Sequence, residues 1–322
     1  MTPGLLPRVE SWSAYRRVFG KRRVWTKGVG EICARHGIPA RRLETTYPGT
    51  CIVLLVNRRR LVKLFPPFLA GDCAVEASAL AAVRRARVRA PRVVARGVLR
   101  DRSAWPYLIL APLPGRPVRE VMTRLPRRSR LAIMAAAGRI LRRVHAADPH
   151  ALPRRAALRL PELTARALAG FRRAGVFSPA LLRDLGRRLP GLLRPAGRPR
   201  LVHGDLNEDH VLVARRRGRW IVTGLIDFAD ARLGDPAHEW MPVWLGLLGR
   251  DAANFRAFLA GFSPRLRVTA AWRDRAAASV LVHDFAPQAV CAALKADRVR
   301  SRAMDWNSLR DWLWPPSLEA LS

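Results

Sequence analysis

The chain has 322 residues, 49% of them hydrophobic, and carries 59 Lys and Arg against 24 Asp and Glu, a formal charge of +35. That apolar fraction builds an ordinary core and excludes a largely disordered chain, and Arg or another polar residue breaks every apolar run before membrane-spanning length. The basic residues lie along the whole chain in short groups such as 58–60 and 215–217, with no basic tail, no nucleic-acid motif and no regular aromatic interleaving, so the charge does not argue for specific nucleic-acid binding.

Only Lys21, Lys27, Lys63 and Lys295 are lysines, so the charge reflects a strong bias toward Arg in a chain rich in Ala, Leu, Val, Pro and Gly. The first residues, MTPGLLPRVESWSAYRRVFGKRR, lack the order of a secretory signal, and a cytoplasmic protein is expected. Cys33, Cys51, Cys73 and Cys291 are far apart and form no CxxC pair. They read as small core hydrophobes rather than as a zinc site or a disulfide framework.

In chain order, Tyr47-Pro48-Gly49-Thr50 is turn chemistry at the entrance to a strand, with Gly49 allowing close backbone approach to a ligand. Two β-rich runs, 51–56 and 61–65, flank polar residues 57–60 and predict a hairpin. Residues 72–85 predict a helix with Asp72 as its N-cap, and 90–98 and 107–110 predict further strands. The run Ala111-Pro112-Leu113-Pro114-Gly115 then breaks the pattern as a linker would. Helical spacing takes over at 128–145 and 179–189, is interrupted by short β-type runs across 200–226, and returns from 251 to the end. Trp220, Trp240 and Trp244 read as core residues, Trp306, Trp312 and Trp314 as packing residues of the tail, and His283-Asp284 as a polar pair within an apolar helix.

The interruption holds the chemistry. His203-Gly204-Asp205 follows one short strand, His210 precedes the next, and Asp227 closes a third at 222–226, ahead of Gly234-Asp235-Pro236. Carboxylates at the ends of neighbouring strands converge on one point. One can orient and deprotonate a hydroxyl while the other holds a divalent metal against nucleotide phosphates, an arrangement suited to phosphoryl transfer.

HGDLNEDH at 203–210, IDF at 226–228 and GDPAHEW at 234–240 together resemble the catalytic core of the aminoglycoside phosphotransferase and choline kinase-like family, relatives of the protein kinases. The resemblance implies an α+β, two-lobed protein-kinase-like fold. Residues 1–113 would form a small antiparallel-sheet N-lobe, and 114–322 a larger, mainly helical C-lobe. It implies Asp205 as catalytic base and Asp227 as principal Mg²⁺ ligand. His210 stands where the family carries Asn, which leaves three possibilities open: weak ligation by His210, a share taken by Asn207 or Asp209, or a preference for Mn²⁺.

Such a fold needs a strand Lys for the phosphates and a helix Glu to hold it, and Lys63 and Glu76 stand in those places. Residues 44–50 would cover the nucleotide, with Gly49 their only glycine, and Ala111 and Leu113 of the LAPLPG run would meet the adenine edge. LRRVHAADP at 141–149 resembles the helix end before the catalytic loop. His203 reads as a residue bonding backbone around that loop, and Asp235 as one tightening the loop after Asp227.

The expected reaction is ATP-dependent phosphorylation of a hydroxyl on a small molecule, an aminoglycoside-type antibiotic or related amino-alcohol or sugar. No membrane and no specific nucleic acid is expected as partner. Glu208, Asp209, Asp230 and Glu239 could line an acidic pocket for a cationic acceptor, with His238 beside them and the His283-Asp284 pair on its C-terminal side. Two rival readings are a catalytically weak, kinase-like nucleotide-binding protein and a basic nucleic-acid-binding protein.

Overall fold

The computed structural model describes residues 4–46, 49–195 and 197–321. The turn expected at Tyr47-Pro48 lies outside them. Two helices open the chain, α1 (Trp12–Phe19) and α2 (Arg22–Arg35), followed by strands β1 (Leu43–Thr45), β2 (Ile52–Val56) and β3 (Arg60–Leu64). Helix α3 (Ala70–Arg85) precedes β4 (Arg92–Arg100) and β5 (Ala104–Ala111). The five strands form one antiparallel sheet in the order β1-β2-β3-β5-β4.

The expected hairpin is β2–β3. Asn57 and Arg58 both take positive φ at its turn, the twist that matches right-handed strands, and the Asn57 side chain accepts from the Arg42 amide at 2.9 Å. Alternation along the strands then assigns their faces. Val62, Leu64, Trp105, Tyr107 and Ile109 pack against α1 and α2, whereas Phe65, Leu108 and Leu110 pack toward α3. Lys63 shares the α3 face by the same alternation.

The opening helices, for which composition gave no expectation, are explained by that packing. Tyr15 and Trp25 are among the largest fully buried side chains and cover the sheet's second face, and Ser11 caps α1 by accepting from the Ala14 amide. Asp72 is not an N-cap. It lies within the first turn of α3, where its carboxylate pairs with Arg155 at 2.9 Å.

After the Pro112–Gly115 break the chain makes the short strand β6 (Arg116–Pro117) and enters a helical region, α4 (Arg127–His145), α5 (Leu160–Ala174) and α6 (Pro179–Leu192). A second set of short strands follows: β7 (Arg200–Val202), β8 (Val211–Arg216), β9 (Arg219–Leu225) and β10 (Arg232–Gly234). β8 and β9 form a hairpin edged by β6, while β7 pairs antiparallel with β10. Helices α7 (Ala252–Phe262), α8 (Ala270–Leu281), α9 (Ala286–Ala296) and α10 (Trp306–Leu313) complete the larger lobe.

Helix α4 is the spine of this lobe and packs most extensively on α7. A Cβ at Gly138 would stand 2.2 Å from the Phe258 carbonyl oxygen, so the crossing admits only glycine there. Trp240, Trp244, Trp306 and Trp314 are buried in the core and Trp220 is half-buried against it, while Trp312 stacks on the Arg250 guanidinium 4.5 Å from its ring centre. Cys33, Cys51 and Cys73 are buried as expected, but Cys291 is only half-buried, on α9. His283-Asp284 is not inside a helix; it forms the 110° bend between α8 and α9. Among the described residues no single helix is long and apolar enough to cross a membrane. The architecture is the expected α+β, two-lobed kinase-like fold.

Candidate active site

Two loops carry the site, and the strands fix both. Pairing of β7 with β10 presents His203-Gly204-Asp205, and the Val211–Leu225 register of β8 with β9 sets His210 beside Ile226-Asp227. The Ile226 amide donates to the His210 carbonyl at 3.0 Å, tying the loops together.

Gly204 has φ +80°, and a Cβ there would stand 2.1 Å from the Asp230 carbonyl oxygen, so both the turn and the close approach demand glycine. The Glu239 carboxylate accepts from the backbone amides of His203 and Gly204, while the His145 ring lies 3.3 Å from the same carboxylate. From the other side His283 Nε2 donates to the Gly204 carbonyl at 2.9 Å, and His238 stacks on His283 with ring centres 4.3 Å apart. His203 Nε2 donates to the Ile226 carbonyl at 3.1 Å. It thereby bonds backbone around the loop, as read from the sequence. Asp235 likewise tightens its own turn by accepting from the Ala237 amide at 2.9 Å, and its carboxylate also takes Arg275.

Asp205 is mostly buried. Its Oδ1 accepts from Asn207 Nδ2 at 2.9 Å, and burial pushes its carboxyl above the ordinary range despite the nearby His210 ring. A raised carboxyl is better matched to receiving a proton. Asp227 sits at φ +62°, a sparsely populated conformation for a side-chain-bearing residue, of the kind found at functional sites. Lys63 Nζ lies 2.9 Å from Asp227 Oδ1 and 2.7 Å from Glu76 Oε2. Burial disfavours the ammonium, but the two carboxylates outweigh it and hold Lys63 firmly charged. Burial acts against Asp227 as well, and there Lys63 and His210 prevail, keeping the carboxyl below its usual range; at Glu76 burial prevails and raises it.

His210 Nδ1 lies 2.6 Å from the Asp205 carbonyl oxygen, an acceptor, so Nδ1 is the protonated nitrogen. Nε2 is 3.7 Å from Asp227 Oδ2. Burial opposes the charged ring, but the Asp227 and Asp205 carboxylates outweigh it and raise the imidazole above its ordinary value, favouring the charged form beside Asp227. A metal held by His210 and Asp227 would have to displace the Nε2 proton. Asn207 and Asp209, the alternative contributors, are otherwise engaged: Asn207 Oδ1 accepts from the Asp209 amide at 2.8 Å, and the Asp209 carboxylate is held in a fork by Arg119 at 2.6 Å.

The acidic pocket expected from Glu208, Asp209, Asp230 and Glu239 does not form. Glu239 is buried on the 203–204 amides, Glu208 and Asp209 both face Arg119, and Asp230 lies 3.7 Å from Arg232. Gly49 is exposed at the entrance to β2, and Thr50 beside it lines a cavity together with Asp205. Ala111 ends β5, and Leu113 lies half-buried between β5 and β6, against Gly224. The grip of Glu239, His145 and His283 on the loop was not legible as function. HEW at 238–240 and VHDF at 282–285 carry no spacing that links them to residue 204.

Burial keeps three of these histidines neutral: His203 is pushed down to about 4, and His238 and His283 also fall below their ordinary value. The unfolded chain takes up these protons near pH 6.5 while the native protein does not, so stability is complete above that pH and declines below it toward pH 4. Each such group costs about 1.4 kcal/mol per pH unit within that window. The expected result is a Tm that falls between pH 7 and pH 5, and less so in His238→Asn. Asp230, which burial raises to about 7, takes up a proton in the native protein over the same range and offsets part of that loss, so the comparison between variants decides. A pH dependence of Tm identical in His238→Asn would mean that the His238 ring is protonated in the native state.

A model of the phosphotransferase enzyme family matches residues 49–281. Among solved structures, wild-type aminoglycoside 2'-phosphotransferase-IIIa is similar with a TM-score of 0.64 at 19% identity, over 91% of this chain and 97% of that one. The macrolide 2'-phosphotransferase MphH from Brachybacterium faecium gives 0.55 at 20% identity, over 90% and 98%. The aminoglycoside phosphotransferase APH(3'')-Id from Streptomyces rimosus gives 0.58 at 18%, over 81% and 98%. At these identities the structures establish the fold. The family match takes in Lys63, Glu76, Asp205, His210 and Asp227 together, and the chain belongs to the phosphotransferase enzyme family, enzymes that transfer a phosphoryl group to a small-molecule hydroxyl.

Proposed function

We propose that the protein transfers the γ-phosphoryl group of ATP to a hydroxyl of a small hydroxylated molecule of the antibiotic class, with residues 1–113 as the nucleotide lobe and 114–322 as the catalytic and acceptor lobe. The observation that carries this reading is the convergence of Lys63, Glu76, Asp205, His210 and Asp227, drawn from both lobes, within direct contact of one another. The nucleotides and antibiotics held by similar proteins support it: GDP in one aminoglycoside 2'-phosphotransferase, and ADP with streptomycin in APH(3'')-Id.

Each residue then has one task. Lys63, held by Glu76, binds nucleotide phosphate as a compact charge. Gly49 and Thr50 cover the phosphates, and Ala111 and Leu113 meet the base. Asp205 orients the acceptor hydroxyl and takes its proton as the new oxygen–phosphorus bond forms and the bond to the β-phosphate oxygen breaks, releasing ADP. Asp227 and His210 would hold Mg²⁺ or Mn²⁺, which neutralises phosphate charge when bound. Acceptor-dependent ADP release with Mg²⁺ or Mn²⁺, across aminoglycosides, other hydroxylated antibiotics and amino-alcohols, tests the reading. ATP binding without transfer to any of them would instead indicate a kinase-like protein without turnover.

The nitrogen donor gives a separate expectation. Imidazole suits Mn²⁺ better than Mg²⁺, which strongly prefers oxygen, so His210→Asn is expected to weaken Mn²⁺ binding about tenfold, read by electron paramagnetic resonance, and to lower the Mg²⁺ concentration needed for activity. Equal Mn²⁺ affinity in the two proteins would remove His210 from the ligand set.

A further inference from the structure

Asp205 stands at the edge of a cavity of 740 Å³ that extends well beyond the reacting groups. Drug-sized ligands occupy cavities of this order, roughly 300–1,000 Å³. Its far walls are apolar. Met241, Pro242 and Leu245 form one side. Helix α9 adds Ala289, Ala292, Ala293 and Ala296, spaced to lie on one helix face, so along it no side chain longer than a methyl group borders the cavity. Phe285 closes the wall with its ring 40% exposed, one of few large apolar side chains left in solvent among the described residues.

The charged groups around the cavity are already engaged. Arg119 faces Glu208 at 3.1 Å and holds Asp209 outside it. Arg250 is tied to the Asp297 carboxylate and donates to the Trp312 carbonyl at 2.8 Å. Among the described lining residues, Asp205 is the only carboxylate without an arginine partner. Counted with their partners, these groups leave no excess of positive charge at the rim: Arg119 stands against Glu208 and Asp209, Arg250 against Asp297, and Asp205 beside His210, so the apolar walls are what distinguish one acceptor from another.

We propose that the acceptor is a bulky hydroxylated molecule with an apolar body, seated along the alanine face of α9 and Phe285 with its hydroxyl at Asp205. This rests on the kinase reading and narrows it. Burial of the apolar body supplies affinity, and the single polar end supplies orientation. Of the acids expected to attract a polycationic aminoglycoside, Glu239 holds the loop, Glu208 and Asp209 face Arg119, and Asp230 faces Arg232.

Titration calorimetry on the full chain with ADP and Mg²⁺, using erythromycin and kanamycin as probes, tests the proposal. Erythromycin is expected to bind at least about tenfold more tightly than kanamycin. Ala293→Trp, which fills the cavity, should weaken erythromycin about tenfold or more, and Ala293→Ser should leave it within about threefold; an unchanged Tm checks that each variant folds. Kanamycin binding as tightly as erythromycin, binding of neither, or indifference of erythromycin to Ala293→Trp would each overturn the proposal. ADP release with kanamycin that Asp205→Asn abolishes would overturn it while leaving the kinase reading intact. Failure of the chain to bind ATP or ADP would remove the kinase reading itself.

Discussion

Asp205→Asn is expected to lower kcat by about 10²–10⁴-fold, the usual range for loss of a general base, while ATP affinity changes by no more than about threefold. Asn keeps the size of the side chain and an oxygen that can still accept from Asn207 Nδ2, but it cannot take the hydroxyl proton. The loop does not depend on the carboxylate for its shape. It is held at residues 203 and 204 by Glu239 and His283, so the Tm of Asp205→Asn should match that of the parent. Glu239→Gln is the informative contrast. It replaces the buried carboxylate that accepts from two backbone amides with a group having one acceptor oxygen, and both Tm and kcat should fall. Turnover by Asp205→Asn within tenfold of the parent, measured as acceptor-dependent ADP release, would assign the base to another group.

The difference between those two variants also shows what can be read from the chain alone. Asp205, His210 and Asp227 are legible because their chemistry is local: each stands at the end of a short apolar strand, and the strand ends are marked by sequence neighbours. Lys63 stands out because Arg fills nearly every other basic position, and Glu76 follows on the next helix. Glu239 and His283 act on residue 204 from 35 and 79 positions away. No periodicity records such a contact, so Glu239 looked like an acid available to a substrate and His283 like one half of a polar pair inside a helix. Asp72 failed for a related reason: the chain entered α3 earlier than a capping residue would signal, and a distant Arg155 took its carboxylate. The acidic pocket failed because its four members were counted by charge, and the cation that neutralises two of them, Arg119, lies some 90 residues before Glu208 and Asp209 in sequence.

Lys63→Met should damage both activity and stability, and the two losses should separate in a double variant. The ammonium is almost fully buried between Glu76 and Asp227. Removing it deprives the phosphates of their fixed charge, and a fall in kcat/KM of at least about 10²-fold is expected, the scale seen when one preorganised electrostatic donor is lost. It also strands the Glu76 carboxylate, 2% exposed, without its cation. Breaking a buried pair from one side costs about 3–5 kcal/mol, while Asp227, whose side chain is 35% exposed, adds less because water screens it. Lys63→Arg keeps the charge but brings a planar fork into a space shaped for a compact ammonium, so stability should recover in part and activity should not. Replacing both partners, Lys63→Met with Glu76→Leu, removes the stranded charge. The double variant should unfold at a higher temperature than Lys63→Met alone and remain inactive. A double variant no more stable than the single one would mean that Glu76 is not the group Lys63 neutralises, and activity in Lys63→Met would take the phosphate-binding role away from this lysine.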